Sequence, residues 1–184
     1  MTWMEFLALV ASAGLLSAAF SAGISATGAL IKQRRHARYL ALRIAIEMDN
    51  YFQACFDRIS DINDYNASGG HAGAQHFAVP FPSELAADDV GWVNLNPKLS
   101  DRVLSFGTRV KYLNSSIRND LEHMSGPLED RDMSLTLAHL YEAAQDAYLL
   151  ARELRHRYDF EQLAHSGQSY EWLVEAKMRH QGRS

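Results

Sequence analysis

The chain has 184 residues, a formal net charge of −4, a pI near 6.0 and a single cysteine, Cys55. This charge balance does not indicate a nucleic-acid-binding protein, and one cysteine excludes an internal disulfide. The charges are unevenly distributed, because four of the 18 basic residues lie between Lys32 and Arg38, while Glu5 is the only charged residue before Lys32.

The segment Phe6 to Ile31 contains no charged residue. At about 1.5 Å per helical residue it is long enough to cross a hydrocarbon core of about 30 Å. We therefore predict a transmembrane anchor over residues 1–31. A cleaved signal peptide is the alternative, but such peptides carry positive charge before an apolar core of about 7–15 residues, and this N-terminus has neither feature.

A basic juxtamembrane segment follows at residues 32–38, and its cations are Lys32, Arg34, Arg35 and Arg38. Basic residues beside a span favour the cytoplasmic side and also attract anionic lipid head groups. The sequence thus predicts a single-pass protein of the cell (inner) membrane, in contact with the lipid bilayer, with its N-terminus outside and residues 39–184 forming a cytoplasmic domain.

Small residues recur every four positions within the predicted span, at Gly14, Ala18, Ala22 and Ala26. Residues at this spacing lie on one helix face and allow a second helix to approach closely. We expect self-association of the chain through this face. The alternative is an alanine-rich span that has no helical partner.

The rest of the chain predicts an all-α fold. Apolar residues at helical spacing mark a first helix from Arg38 to about Asp64, which continues the predicted span without an evident break. Asn96-Pro97 is typical of a helix start, and the stripe from Leu99 to Leu121 predicts a second helix. A third helix follows Asp130 or Asp132, and its central alanines indicate a close neighbour.

These helices predict a three-helix, coiled-coil-like bundle. Helices two and three have a short connection and are expected to be antiparallel, whereas the direction of helix one relative to helix two stays open. The weaker segment Tyr170 to His180 either packs back as a short fourth helix or frays.

The connection at residues 66–96 is long for a compact domain, and such loops tend to be functional or disordered. Its apolar residues favour an ordered loop packed along the bundle. We consider this loop the candidate contact surface for an unknown protein partner. Its candidate contact residues are His71, His76, Phe81, Asp88, Asp89 and Trp92.

Enzymatic and metal-binding motifs find little support. His71 and His76 lack the further ligands that zinc needs, so surface histidines are the better interpretation. No nucleophile elbow, phosphate-binding loop or dinucleotide fingerprint occurs, and no cofactor, catalytic or metal residue is predicted. Cys55 lies on an apolar stripe and indicates a buried thiol. The basic group Arg152, Arg155, His156 and Arg157 is interspersed with acidic residues, which favours a solvated helix face.

The sequence therefore favours a non-enzymatic, membrane-anchored interaction or scaffold protein that presents a helical bundle to a protein partner. One alternative is a sensor whose bundle binds a small ligand and passes a helix shift along the continuous first helix. Another is an enzyme with an unrecognised site in the 66–96 loop.

Overall fold

The computed structural model describes residues 3–83, 90–124 and 132–182, with side chains described in these ranges except at 3–26, 90–91 and 164–166. The described residues form four α-helices and no strand. The helices are α1 (Trp3–Ser68), α2 (Pro97–His123), α3 (Ser134–Arg157) and α4 (Ala164–Gln181). A 3-10 turn, Val90–Asn94, precedes α2. The predicted all-helical bundle is confirmed, and the C-terminal segment forms a fourth helix of 18 residues.

Helix α1 is continuous over 66 residues, which corresponds to a length of about 100 Å. Its side chains at 27–36 are all exposed, and the first buried one is Ala37. The helix ends at two glycines with positive φ, Gly69 and Gly70, a backbone conformation that suits glycine. Helix α1 therefore extends beyond the bundle at its N-terminal side and stops at a glycine pair at the other.

The prediction of a single-pass inner-membrane protein is wrong. Within the part of the chain that the structure describes, we find no helix with the length and apolarity needed to cross a membrane. The prediction relied on the absence of charge in Phe6 to Ile31, but absence of charge is a weaker criterion than apolarity. Sixteen of those 26 residues are Ala, Ser, Gly or Thr.

Side-chain oxygens bond the first residues of α2 and α3, and at α2 the bonding residue is the N-cap itself. The side chain of Asn96 accepts hydrogen bonds from the backbone N–H groups of Lys98 and Leu99, and Pro97 occupies the first turn of α2. The N-cap residue of α3 is Met133, which makes no side-chain cap bond, and the preceding Asp132 carboxylate accepts from the backbone N–H and the hydroxyl of Ser134. Asp130, the other predicted cap of α3, lies outside the described residues.

Cross-helix contacts define the helix directions. Arg38 and Asp49 of α1 contact the C-terminal end of α3 and the residues just after it, and Phe52 meets Tyr148 one turn further on, so α1 and α3 are antiparallel. Arg102 of α2 pairs with Glu153 and Arg109 pairs with Asp146, so α2 is antiparallel to α3, as predicted. The direction of α1 relative to α2, which the sequence left open, follows from these contacts. Both helices run antiparallel to α3 and are therefore parallel to each other.

Helix α3 is the central element of the bundle, and it contacts α1, α2 and α4. Its contact with α1 is the most extensive, because small side chains meet there on both helices. The fully buried alanines of this contact are Ala41, Ala45, Ala144 and Ala147. The predicted close neighbour of the α3 alanines is therefore α1.

Helix α4 covers the aromatic side of the bundle. Tyr170 stacks on Tyr148 with ring centroids 4.0 Å apart, Trp172 packs on Phe56 at 4.9 Å, and Leu173 is fully buried. These contacts add aromatic burial to the α1–α3 pair. The C-terminal segment thus packs on the bundle from Tyr170 onward.

Candidate functional site

The connection between α1 and α2, which we term the strap (residues 69–95, of which 84–89 lie outside the described residues), lies along the bundle. Because α1 and α2 are parallel, the strap has to return from the end of α1 to the start of α2. Among its described residues, Ala74, Val79 and Ser83 are hydrogen-bonded to α1 or α2, and Val79 and Leu95 are buried in the core.

The first anchor of the strap lies at the C-terminal end of α1. The Ala74 backbone N–H donates to the Asp61 carbonyl at 3.2 Å, and His76 Nε2 lies 2.9 Å from Asp61 Oδ2. Gly73 adopts φ +75°, and a Cβ there would lie 2.1 Å from the Asp61 carbonyl oxygen. Only glycine permits this close approach of the strap to α1.

The second anchor is a buried amide clamp between Asn114 of α2 and Val79. The Val79 N–H donates to Asn114 Oδ1 at 2.8 Å, and Asn114 Nδ2 donates to the Val79 carbonyl at 3.0 Å. Both residues are buried, so the clamp satisfies two backbone groups that water cannot reach. Arg58 of α1 adds a bond to the neighbouring Ala78 carbonyl at 2.6 Å.

Phe81 lies between this clamp and a third anchor, where the Ser83 hydroxyl donates to the Glu47 carboxylate of α1. The side chain of Phe81 is 64% exposed although the backbone on either side of it is fixed. Pro80 and Pro82 flank it and restrict φ further. The anchors on either side of Phe81 therefore hold its ring in an exposed position.

A groove lies beside Phe81, between the strap and α2. It has a volume of about 460 Å³, and it is open to the surface. Residues that line it include Phe81, Pro82, Leu104, Gly107 and Lys111. Gly107 contributes no side chain, and the nearest atom that a Cβ there would meet is Pro82 Cγ at 4.0 Å, which leaves room between the strap and the helix. The lining of the groove is mixed, since Phe81, Pro82 and Leu104 are apolar whereas Ser83, Thr108 and the cation Lys111 are polar.

The structure separates the other candidate contact residues. His71 is exposed, His76 is engaged with Asp61, and Trp92 is half-buried against the core rather than presented to solvent. Asp88 and Asp89 lie outside the described residues. Within the described part of the chain, no group of three or more His, Cys, Asp or Glu residues is arranged to hold a metal ion.

Cys55 lies in the core beside Tyr51, and neither side chain is suited to chemistry with a solute. Burial raises the pKa of the Cys55 thiol to about 12, which keeps it protonated near neutral pH. Burial also raises the pKa of Tyr51, and the adjacent Cys55 adds to this effect.

The predicted solvated face of α3 is wrong at one residue, since Arg155 is buried. Its guanidinium donates to Asp49 Oδ2 of α1 from Nε at 3.2 Å and from Nη2 at 2.5 Å, and it also bonds the Glu161 carbonyl. Burial raises the pKa of Asp49, and the Arg155 charge opposes that rise. The pattern did hold a signal, because Arg155 follows Leu154 and lies four residues after Ala151 on the apolar stripe.

The basic residues after the uncharged segment are exposed on α1, and Arg38 also donates to the Asp159 carbonyl and lies over the Phe160 ring. Gly14, Ala18, Ala22 and Ala26 belong to the range 3–26, whose side chains are not described, so helix pairing there stays a prediction.

Asn114, the residue that fixes the strap, was not predicted from the sequence. It lies between Val110 and Ile117 on the stripe of α2, which is the signal that could have identified it.

Comparison with known proteins gives no family: no family model, no curated protein and no solved structure matches the chain.

Proposed function

We propose that this chain is a non-enzymatic interaction protein whose bundle holds the strap as a rigid contact surface for a protein partner. The observation that supports this proposal is the exposure of Phe81 between two fixed points of the strap. An aromatic side chain held in place before binding loses little conformational entropy when a partner covers it. Aromatic residues of this kind are frequent among the residues that dominate binding energy.

The groove beside Phe81 suggests the chemistry of the partner segment. The apolar part of its lining, which includes Pro82 and Leu104, suits an apolar side chain. Lys111 is exposed, and its ammonium group has no ion pair among the described residues, so it is available to a carboxylate. The proposed occupant is a short apolar segment of another protein that carries an acidic residue next to its apolar anchor.

The polar groups of the strap favour binding over catalysis. His76 and Asp61 are engaged with each other, and the amide of Asn114 is used by Val79. The thiol of Cys55 is buried and protonated. These groups hold the strap or the core together, which fits a presentation role.

The test is site-specific photo-crosslinking in cells, with the crosslinker placed at Leu104 in the groove. We expect a protein to be captured, and we expect capture to fall at least about tenfold with Phe81→Ala and with Lys111→Glu, because each removes a central contact. Val93→Ala is the matched control, since Val93 is 89% exposed on the same strap but does not line the groove. Capture that is unaffected by Phe81→Ala and Lys111→Glu, or equally reduced by Val93→Ala, would contradict the proposal.

A further inference from the structure

Where α1 leaves the bundle, its basic segment lies against the C-terminal end of α3, which carries further exposed cations. Arg38 donates to the Asp159 carbonyl at 3.1 Å, so the basic segment of α1 lies against the end of α3. Arg34 and Tyr158 line one surface cleft there. We define the basic end by the exposed cations of residues 32–38 of α1 and of the last two turns of α3 that lack an ion pair among the described residues. They are Lys32, Arg34, Arg35, Arg38, Arg152 and Arg157.

The acidic groups at this end do not balance these cations. Glu153 is paired with Arg102, and Asp49 is paired with the buried Arg155. Two exposed carboxylates, of Asp159 and Glu161, remain near the end of α3. The chain as a whole has a net charge of −4, so the positive charge of this end contrasts with an acidic remainder.

Apolar side chains accompany the cations on the same part of α1. Leu30, Ile31 and Tyr39 are each more than half exposed, and one cleft is lined by Ile31, Lys32, Arg35 and Tyr39 together. Apolar and aromatic residues interleaved with cations are typical of helices that lie at a membrane interface. Nucleic acid would use the cations but would leave these apolar groups exposed.

We propose that the basic end binds the surface of an anionic phospholipid membrane. The cations would contact head-group phosphates and carboxylates, while the three apolar side chains enter the head-group region. A planar surface that lies along the projecting part of α1 keeps its distance from the acidic bundle, whereas an extended polyanion lying along the bundle would be repelled by it. The proposal requires no helix to cross the bilayer, and it does not depend on the groove beside Phe81.

The experiment is co-sedimentation of the purified full chain with phosphatidylcholine vesicles that contain or lack phosphatidylserine. We expect binding that requires phosphatidylserine and weakens as salt is raised. Arg152→Gln combined with Arg157→Gln should weaken binding about 25-fold, at about fivefold for each cation removed. This pair of substitutions tests whether α3 takes part in the membrane contact, because both residues lie on α3, outside the basic segment of α1.

The matched control is Arg118→Gln combined with Arg179→Gln, which removes two exposed cations, one of α2 and one of α4, that do not belong to the basic end. We expect vesicle binding by this variant to equal that of the unmodified chain. Equal binding to both kinds of vesicle would overturn the proposal, as would an equal effect of the two variant pairs. Displacement of the chain from phosphatidylserine vesicles by RNA at the same phosphate concentration would assign the basic end to nucleic acid instead.

Discussion

At the scale of single residues, the Asn114 clamp is the contact on which the position of the strap depends most directly. We expect Asn114→Leu to lower the free energy of unfolding by about 2–4 kcal/mol, because it leaves the buried N–H and carbonyl of Val79 without partners. Urea denaturation of the purified chain measures this quantity.

The control for this substitution lies on the same helix. Asn119→Leu makes the same chemical change at an exposed position of α2 and should shift the free energy of unfolding by no more than about 0.5 kcal/mol. If the two variants were equally stable, the clamp would contribute nothing beyond helix propensity, and the strap would have to be held by its other anchors.

At the scale of elements, the start of the strap depends on glycine at one position far more than at its neighbour. Gly69 and Gly73 both have positive φ, but a Cβ at Gly69 would meet nothing within 4 Å, whereas one at Gly73 would collide with the backbone of Asp61. We expect Gly69→Ala to cost about 1–2 kcal/mol from backbone strain alone, and Gly73→Ala to cost more.

Hydrogen exchange separates these two effects. The Ala74 amide should lose its protection in Gly73→Ala, because its bond to the Asp61 carbonyl requires the close approach, and should keep it in Gly69→Ala. Similar protection in both variants would mean that the strap can move aside without breaking this bond, and the first anchor would then be unimportant.

The helices were largely predictable from sequence because burial repeats at helical spacing. The predicted core positions of α1, from Ile44 to Ile62, are all buried, and those of α2, from Leu99 to Leu121, are buried except Leu121, which is half-buried. The burial of Asn114 and Arg155 was not predicted, and the reason is physical. A polar residue on an apolar stripe is acceptable only when a partner distant in sequence satisfies it, and local periodicity contains no information about that partner.

At the scale of the whole molecule, the parallel arrangement of α1 and α2 could not be derived, because a long connection permits either direction. The membrane prediction failed for a related reason, since one local property, absence of charge, was used to infer the environment of a whole helix. The contact surface was predicted only as a segment, and its role in binding stays a proposal. Which of its side chains face outward depends on the anchors, and these come from α1 and α2.

The pair Asp49–Arg155 fixes the register of α1 against α3, and its energetics can be tested as a cycle. We expect Asp49→Leu to destabilise the chain by about 3–5 kcal/mol, because it leaves a buried guanidinium without its counter-charge. Adding Arg155→Met should recover much of that loss, since an apolar pair of similar size avoids the desolvation of both charges.

The exposed pair Arg102–Glu153 provides the comparison for this cycle, because it joins α2 to α3 with both side chains about half exposed. Its coupling energy, measured by denaturation of Arg102→Met, Glu153→Leu and the double variant, should not exceed about 1 kcal/mol. A coupling for Asp49–Arg155 as small as that of the exposed pair would contradict a role in register. The α1–α3 alignment would then rest on the buried alanines, whose small, uniform side chains specify a close approach but permit neighbouring registers to compete.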